Sequence, residues 1–120
     1  MKSIAPVLSV KAVEKSVAWF QRVLDFQIAY PSQLPGDGES LSYAVISNGN
    51  VTIHLGLESA MNITAGNGGC HLDTDDFEVV HARAIKEEAI VYLPLHTNPV
   101  GKRSFGIKDP DGNLIAIAAT

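Results

Sequence analysis

The order of predicted elements repeats once along the chain, and this repeat constrains the fold more than any other feature of the sequence. Apolar runs predict strands, and an apolar stripe at helical spacing in each half predicts a helix. Each half therefore reads strand, helix, strand, strand, strand, written βαβββ below. The predicted strands are 3–10, 26–33, 41–47, 51–58, 70–74, 90–97, 103–109 and 114–119, and the predicted helices are 13–25 and 76–89.

These elements predict a single α+β domain of 120 residues built from two modules of similar length. The first module spans residues 1–58 and the second spans residues 69–120. The segment 59–68 between them is polar, glycine-rich and aperiodic, and we expect it to be a linker.

Local signals support the same division. The first helix carries an apolar stripe of Val13, Val17, Phe20 and Leu24. Asn48-Gly49 is a strong hairpin signal between two strands, and the glycine-rich residues 35–38 predict a loop. Asp75 and Asp76 suit the positive end of the second helix. Residues 109–112 predict a turn with proline at its second position and glycine at its fourth.

Composition excludes several classes of function. The single cysteine, Cys70, rules out an intrachain disulfide and a cysteine-rich zinc site, and we expect it to be a buried, inert thiol. The net charge of −4 and the scattered basic residues argue against nucleic acid as a partner. The sequence has no convincing signal peptide and no apolar run of about eighteen residues, so we expect no membrane span and a cytoplasmic protein.

Three stretches point to a family. The chain carries PVLSV ahead of a helix ending in WFQRVLDF, an acidic pair opening a helix in LDTDDFEVVHA, and GKRSFGIKDPDGNLIAI at its end. With the repeat, these stretches resemble the vicinal oxygen chelate superfamily, which includes glyoxalase I, extradiol dioxygenases, fosfomycin-resistance enzymes and bleomycin-binding proteins. The resemblance implies that each module curls into half of a cup and that two chains pair as a homodimer.

The resemblance also implies where a metal would be held. Enzymes of the superfamily place one metal ligand on the first and last strand of each module, and the matching positions here are Ala5, His54, Gly69 and Ala116. Among these, His54 alone has a donor atom. The chain is therefore similar to the metal-free, bleomycin-resistance-like branch, whose members sequester drug in clefts between two subunits. We expect no metal and no cofactor.

Strand parity supports this alignment, because side chains alternate between the two faces of a sheet. The face that shares the four positions, called the cup face below, carries Ala5, Val7, Ser9, Thr52, His54, Gly56, Gly69, His71, Asp73, Leu114, Ala116 and Ala118. The opposite face carries Ile4, Leu8, Val10, Val51, Ile53, Leu55, Leu57, Cys70, Leu72, Ile115 and Ile117. The second set is almost wholly apolar and is expected to pack against the helices.

The predicted ligand-binding residues are His54, Thr52, His71, Asp73, Ala116, Tyr43 and Phe105, and no catalytic residue is predicted. His54 is expected either to contact the ligand or to be held by a hydroxyl such as that of Thr52. His71 and Asp73 form either a functional hydrogen-bonded pair or a strand-end pair near the rim. His81 is expected on the surface. His96 is expected either to line the mouth of the cup or, as the preferred alternative, to lie in an exposed loop.

Two hypotheses from different classes follow. The first is a small-molecule-binding protein that sequesters an apolar or aromatic ligand, an antibiotic being one candidate, in the cup. The second is an enzyme of lyase, isomerase or dioxygenase type. It would use a metal site rebuilt from His54, His71 and Asp73, or acid/base catalysis at His54 or His71. A paralogue with an unknown ligand is a third hypothesis, which the sequence does not separate from drug binding.

Overall fold

The computed structural model of the chain describes residues 1–34 and 40–120. The predicted loop at 35–38 lies outside these described residues. In chain order the elements are β1 (Val7–Val10), α1 (Val13–Leu24), β2 (Gln27–Tyr30), β3 (Tyr43–Asn48), β4 (Val51–Leu57), α2 (Glu58–Met61), β5 (Gly69–Thr74), α3 (Phe77–Lys86), β6 (Ile90–Thr97), β7 (Arg103–Lys108) and β8 (Leu114–Ala119).

The strands form two four-stranded sheets with the same topology, in the orders β1-β4-β3-β2 and β5-β8-β7-β6. The first and last strands of each module pair in parallel, and the other neighbours pair antiparallel. This arrangement confirms the predicted pair of βαβββ modules and the α+β class. Within the described ranges, no helix has the length and apolar character that a membrane crossing requires.

The first strand is shorter than predicted. It begins at Val7, and Ile4 is 96% exposed, so the expectation that Ile4 packs against a helix is wrong. Pro6 explains the late start, because proline has no N–H to donate to a strand ladder. Its carbonyl oxygen still accepts a hydrogen bond from the backbone N–H of His54 at 2.9 Å. Ala5 therefore precedes β1 and lies at the entrance to the sheet.

The core lies between the helices and the faces of the sheets opposite the cup face. Val13, Val17 and Phe20 of the predicted stripe are fully buried, and the Trp19 ring packs edge-on against Phe20 with centroids 4.8 Å apart. Burial of each such side chain stabilises the fold by about 1.5–3 kcal/mol. The strand residues that complete this core, each at most 1% exposed, are Leu8, Val10, Ala44, Ile46, Ile53, Leu55, Phe105, Ile107, Ile115 and Ile117.

The turn before β8 joins the two modules. Asp109, 2% exposed, accepts hydrogen bonds from the backbone N–H groups of Asp111 and Asn113 at 2.9 and 2.8 Å. The Asn113 side chain is fully buried, donates to the carbonyl oxygen of Ser9 and accepts from the N–H of Gly68. Burial raises the pKa of the Asp109 carboxyl, and its hydrogen bonds from Asn113 and Asp111 oppose that shift. The predicted turn is thus an inter-module contact.

A second contact joins the helices. The Arg83 side chain of α3 donates from Nε to the carbonyl oxygen of Arg22 at 2.9 Å and from its terminal nitrogen to that of Gln21 at 3.1 Å. The last carbonyls of a helix lack partners within it, so Arg83 satisfies two such groups at the end of α1. The Asn113 and Arg83 contacts together fix how the two modules lie against each other.

Candidate functional site

A groove of about 530 Å³ lies between the modules, where the residues before β1 and the start of β4 approach β5. The cup-face residues Ala5, Thr52, Gly69, His71 and Asp73 line it. Val51, Cys70 and Leu72 of the opposite face also line it, so the groove is not confined to the cup face. His54 and Ala116 adjoin the groove without lining it. His54 follows Thr52 by two positions on the same strand face, and Ala116 pairs with His71 in the β5–β8 ladder.

His54 is held by a tyrosine. Nδ1 of His54 lies 2.6 Å from the phenol oxygen of Tyr43, and the two rings meet edge to face with centroids 5.5 Å apart. Tyr43 pairs with Gly56 in the β3–β4 ladder, and Gly56 follows His54 by two positions on β4. The Tyr43 side chain therefore lies on the cup face next to His54. Of the two alternatives predicted for His54, the structure shows a contact with a neighbouring hydroxyl, and the hydroxyl is that of Tyr43 and not that of Thr52. The contact leaves Nε2 as the nitrogen of His54 that can meet a ligand.

The neighbours of His54 across the sheet are apolar. Val7 of β1 and Val45 of β3 are its partners in the two adjacent strands, so all three side chains lie on the cup face. Val7 is 45% exposed, Val45 is half-buried, and the Tyr30 side chain beyond Val45 is 59% exposed. The first sheet therefore presents one imidazole within an open apolar and aromatic surface.

Helix α2 and the segment after it cover the part of this surface at the C-terminal ends of β1 and β4. A Cβ added at Gly56 would lie 2.5 Å from Cγ of Met61, so Met61 packs directly on the strand at this glycine. The Ser9 hydroxyl donates to the carbonyl oxygen of Ile63 at 2.5 Å. The sequence had indicated a plain linker here. A glycine within a strand often marks a close approach of this kind, and Gly56 was the available signal.

The second sheet contributes a histidine and a carboxylate. Nε2 of His71 lies 2.9 Å from Oδ1 of Asp73, and both side chains are more than half exposed. Their partners in β8 are Ala116 and Ala118, which add no polar atom to this part of the cup face. The predicted His71–Asp73 contact is therefore present, beside the groove and open to solvent.

Tyr92 covers part of the cup face of the second sheet, on the side of β7. A Cβ added at Gly106 would lie 2.5 Å from Cζ of Tyr92, so the phenol ring lies over the strand at that glycine. Gly106 pairs with Ala116, which places the ring beside Ala116 on the cup face. Tyr92 is not one of the predicted site residues. Gly106, between the apolar Phe105 and Ile107, was the signal that could have indicated it.

Phe105 does not line the cup. It is fully buried and pairs with Ile117, a core residue, so its side chain lies under α3, where it packs edge-on against Phe77 with centroids 5.6 Å apart. The prediction that Phe105 binds ligand is wrong, because the alternation along β7 places it on the helix side. His81 packs against both aromatic rings and is half-buried, so it lies at the surface, as expected, but only part of its side chain is exposed.

His96 lies within β6 instead of an exposed loop. It is half-buried, and its Nδ1 donates to the carbonyl oxygen of Pro94 at 2.8 Å. Its partner in β7 is Ser104, which places it on the cup face toward the far edge of the second sheet. The expectation of an exposed loop is therefore wrong, since the strand continues past Pro94.

The donor atoms near the groove do not converge. Catalytic zinc and iron sites ordinarily use three or more protein donors around one position. Over residues 1–34 and 40–120, no three His, Cys, Asp or Glu side chains are grouped so that they could hold an ion. Nδ1 of His54 is engaged by Tyr43, and Nε2 of His71 is engaged by Asp73. Within the described residues, these donors thus do not form the three-donor arrangement of a catalytic metal site.

Cys70 lies in β5 on the side away from the cup face. Burial raises the pKa of its thiol to about 11, and the nearby negative charge of Asp109 adds to the shift. A thiol in this state is a poor nucleophile at neutral pH, because only the thiolate reacts. The structure therefore gives Cys70 a packing role.

Comparison with known proteins adds two findings. A family model described as the Glyoxalase/Bleomycin resistance protein/Dioxygenase superfamily matches residues 3–117. A search of curated proteins found no match.

Solved structures share the fold at low sequence identity. TioX from Micromonospora sp. ML1 is 19% identical with a TM-score of 0.81, and the alignment covers 98% of each chain. A bleomycin resistance determinant encoded on the transposon Tn5 is 15% identical with a TM-score of 0.78, covering 100% of this chain and 98% of the other. A bleomycin-binding protein complexed with bleomycin is 16% identical with a TM-score of 0.74, covering 100% and 99%.

Proposed function

The chain belongs to the glyoxalase/bleomycin resistance protein/dioxygenase superfamily, and we propose that it binds and sequesters a small organic molecule on its cup face. The observation that carries this proposal is the groove of about 530 Å³ between the modules, around which Ala5, Thr52, Gly69, His71 and Asp73 are arranged. A volume of this size is within the usual range for small-molecule sites.

The surface around the groove favours an apolar or aromatic ligand. Ala5, Gly69 and Ala116 have at most one methyl group each, so they leave space where larger side chains would fill it. Val7 and Val45 add apolar surface, with His54 between them as a polar anchor. An antibiotic is one candidate, because a similar fold has been solved with bleomycin bound. The net charge of −4 makes nucleic acid an unsuitable partner.

We further propose that the cup is completed in a symmetric homodimer. The cup faces of both sheets are largely half-buried or exposed in the single chain, and β6 is an open edge of the second sheet. This strand exposes apolar side chains, with Ile90 at 64% and Leu95 at 52%. An open apolar edge of this length favours pairing with another chain, and a two-fold dimer would bring two half-cups together.

Calorimetry on variants that add bulk to the groove and to the cup face beside it tests the binding proposal. Bleomycin and the hits of a thermal-shift screen are titrated into wild type, Ala116→Phe and Ala5→Phe, which add bulk from opposite modules. Ala82→Phe, on the exposed surface of α3, is the matched control. We expect Ala116→Phe and Ala5→Phe to stay folded and lose binding, and the control to bind like wild type. If Ala116→Phe folds and binds a hit as tightly as wild type, the ligand does not occupy the cup.

The His71–Asp73 contact supports a second candidate, an acid/base enzyme. A carboxylate bonded to one ring nitrogen fixes the tautomer of a histidine and leaves the other nitrogen to exchange a proton with a substrate. Mass spectrometry of each bound compound after incubation with wild type and with His71→Gln separates the two functions. Recovery of every compound unchanged favours sequestration, whereas conversion that is lost in the variant favours the enzyme.

A further inference from the structure

We propose that the Tyr43–His54 pair makes the cup selective for ligands that accept a hydrogen bond, with Tyr43 acting as a positioning residue for His54. This inference rests on the proposed function, since it concerns the ligand of the same site. It assigns the ligand to aromatic or apolar molecules that carry an accepting oxygen or nitrogen, such as a ketone, a carboxylate or a ring nitrogen. Molecules whose polar group only donates are disfavoured.

The first step is the direction of the hydrogen bond between Tyr43 and His54. The phenol O–H is a more acidic donor than the N–H of a neutral imidazole, and the imidazole lone pair is the stronger acceptor. At 2.6 Å the two atoms are well within hydrogen-bond range. The phenol therefore donates to Nδ1, and the ring proton of His54 resides on Nε2. Nε2 would also be a donor if the ring were protonated, because both nitrogens of an imidazolium carry a proton.

The second step is where Nε2 can find a partner. Within the described residues, His54 forms a side-chain hydrogen bond to Tyr43 alone. The adjacent side chains across the sheet, Val7 and Val45, have no polar atoms. A ligand that covers this surface excludes water from Nε2–H, and an unpaired buried donor is costly. The ligand must then supply an acceptor, or binding loses the free energy of that hydrogen bond.

The third step is the shape of the surface around the donor. The Tyr43 ring stands edge-on to the imidazole, and the exposed Tyr30 side chain lies on the far side of Val45. Flat rings pack well on such a mixture of aromatic and branched side chains. This surface and the Nε2–H donor together favour a flat apolar ligand that carries one hydrogen-bond acceptor. They should distinguish two ligands of the same shape if only one of them has that acceptor.

Nuclear magnetic resonance of protein labelled with ¹⁵N-histidine tests the first step without any ligand. His54→Gln identifies the His54 signals by their loss. At about pH 8, where histidines are ordinarily neutral, we expect the proton on Nε2 of His54. Tyr43→Phe keeps the ring packing but removes the donor, and should give a mixture of tautomers with the fold retained. A proton on Nδ1 in the wild-type protein overturns the inference, whatever the protein binds.

Two isosteric probes test selectivity by calorimetry. Acetylnaphthalene carries a carbonyl acceptor, and isopropenylnaphthalene replaces that oxygen with a CH₂ group. We expect wild type to bind the ketone about tenfold more tightly, the scale of one lost hydrogen bond, and His54→Phe to bind both alike. Equal binding by wild type overturns the inference. Binding of neither, with the proton on Nε2, overturns this ligand class and counts against the proposed function.

Discussion

Asn113 donates a hydrogen bond to the carbonyl oxygen of Ser9 at 3.1 Å, although 104 positions separate the two residues in the sequence. The bond joins the turn before the last strand to the first strand, and so ties the second module to the first. The groove lies between these modules, and its shape depends on such contacts. The turn before β8, which the sequence predicts only as a turn, thus helps to hold the two modules that form the groove.

Replacing this asparagine should be costly. Asn113→Ala removes the partner of the Gly68 N–H, in a part-buried hydrogen bond, and of the carbonyl oxygen of Ser9, in a buried one. We expect a loss of about 2–4 kcal/mol in the free energy of unfolding, measured in urea. Asn67→Ala is the matched control, because Asn67 is exposed and makes one bond to Thr64. Equal losses in the two variants would show that Asn113 does not join the modules.

The same turn requires glycine at position 112, because the backbone there has a positive φ. Gly112 has a φ of +96°, and a Cβ there would contact only the carbonyl oxygen of Gly66, at 3.8 Å. The penalty for a side chain is therefore conformational and not a clash. We expect Gly112→Val to cost about 1–3 kcal/mol. Gly49→Asn, at a φ of +58° that asparagine tolerates, should cost much less. An unchanged melting temperature for Gly112→Val would contradict this account of the turn.

The raised pKa of the Cys70 thiol predicts that the stability of the fold falls at alkaline pH. Its pKa is raised to about 11 in the folded protein, so the folded state favours the neutral thiol. The stability this gives is fully present below the unfolded pKa of about 8.5 and is lost as pH rises through about 11. Unfolding of wild type and Cys70→Ala, compared from neutral to alkaline pH, isolates the effect. The wild type should lose more stability across that window, and parallel curves would contradict the assignment.

The dimer proposal predicts a substitution that separates the chains. Leu95 is 52% exposed on the open edge strand β6, and Leu95→Glu would place a charge in a paired edge. Sedimentation at tens of micromolar should show a dimer for wild type and a monomer for the variant. Val79→Glu, on an exposed position of α3, should stay dimeric. A monomeric wild type at that concentration would count heavily against the proposal.

The fold could be predicted from the sequence almost completely, and the site only in part. Periodicity gives the strand faces, which is why the core and the His71–Asp73 contact were predicted. It does not give the rotamer or the cross-strand register that bring Tyr43 to His54. Phe105 was misplaced although its alternation with Gly106 was visible in the sequence. The late start of β1 follows from Pro6, whose missing N–H does not change the apolar pattern from which the strand is predicted.

A crystal structure of the protein with its tightest-binding compound tests the central claim most directly. The account predicts that the compound lies in the groove beside Ala5 and His71, with an acceptor atom within hydrogen-bond distance of Nε2 of His54. A second cleft of about 340 Å³ adjoins the groove at Leu72 and Asp73 and extends away from the cup face to Leu24, Phe26 and Asp75. A compound bound in that cleft, with the cup face empty, would contradict the account.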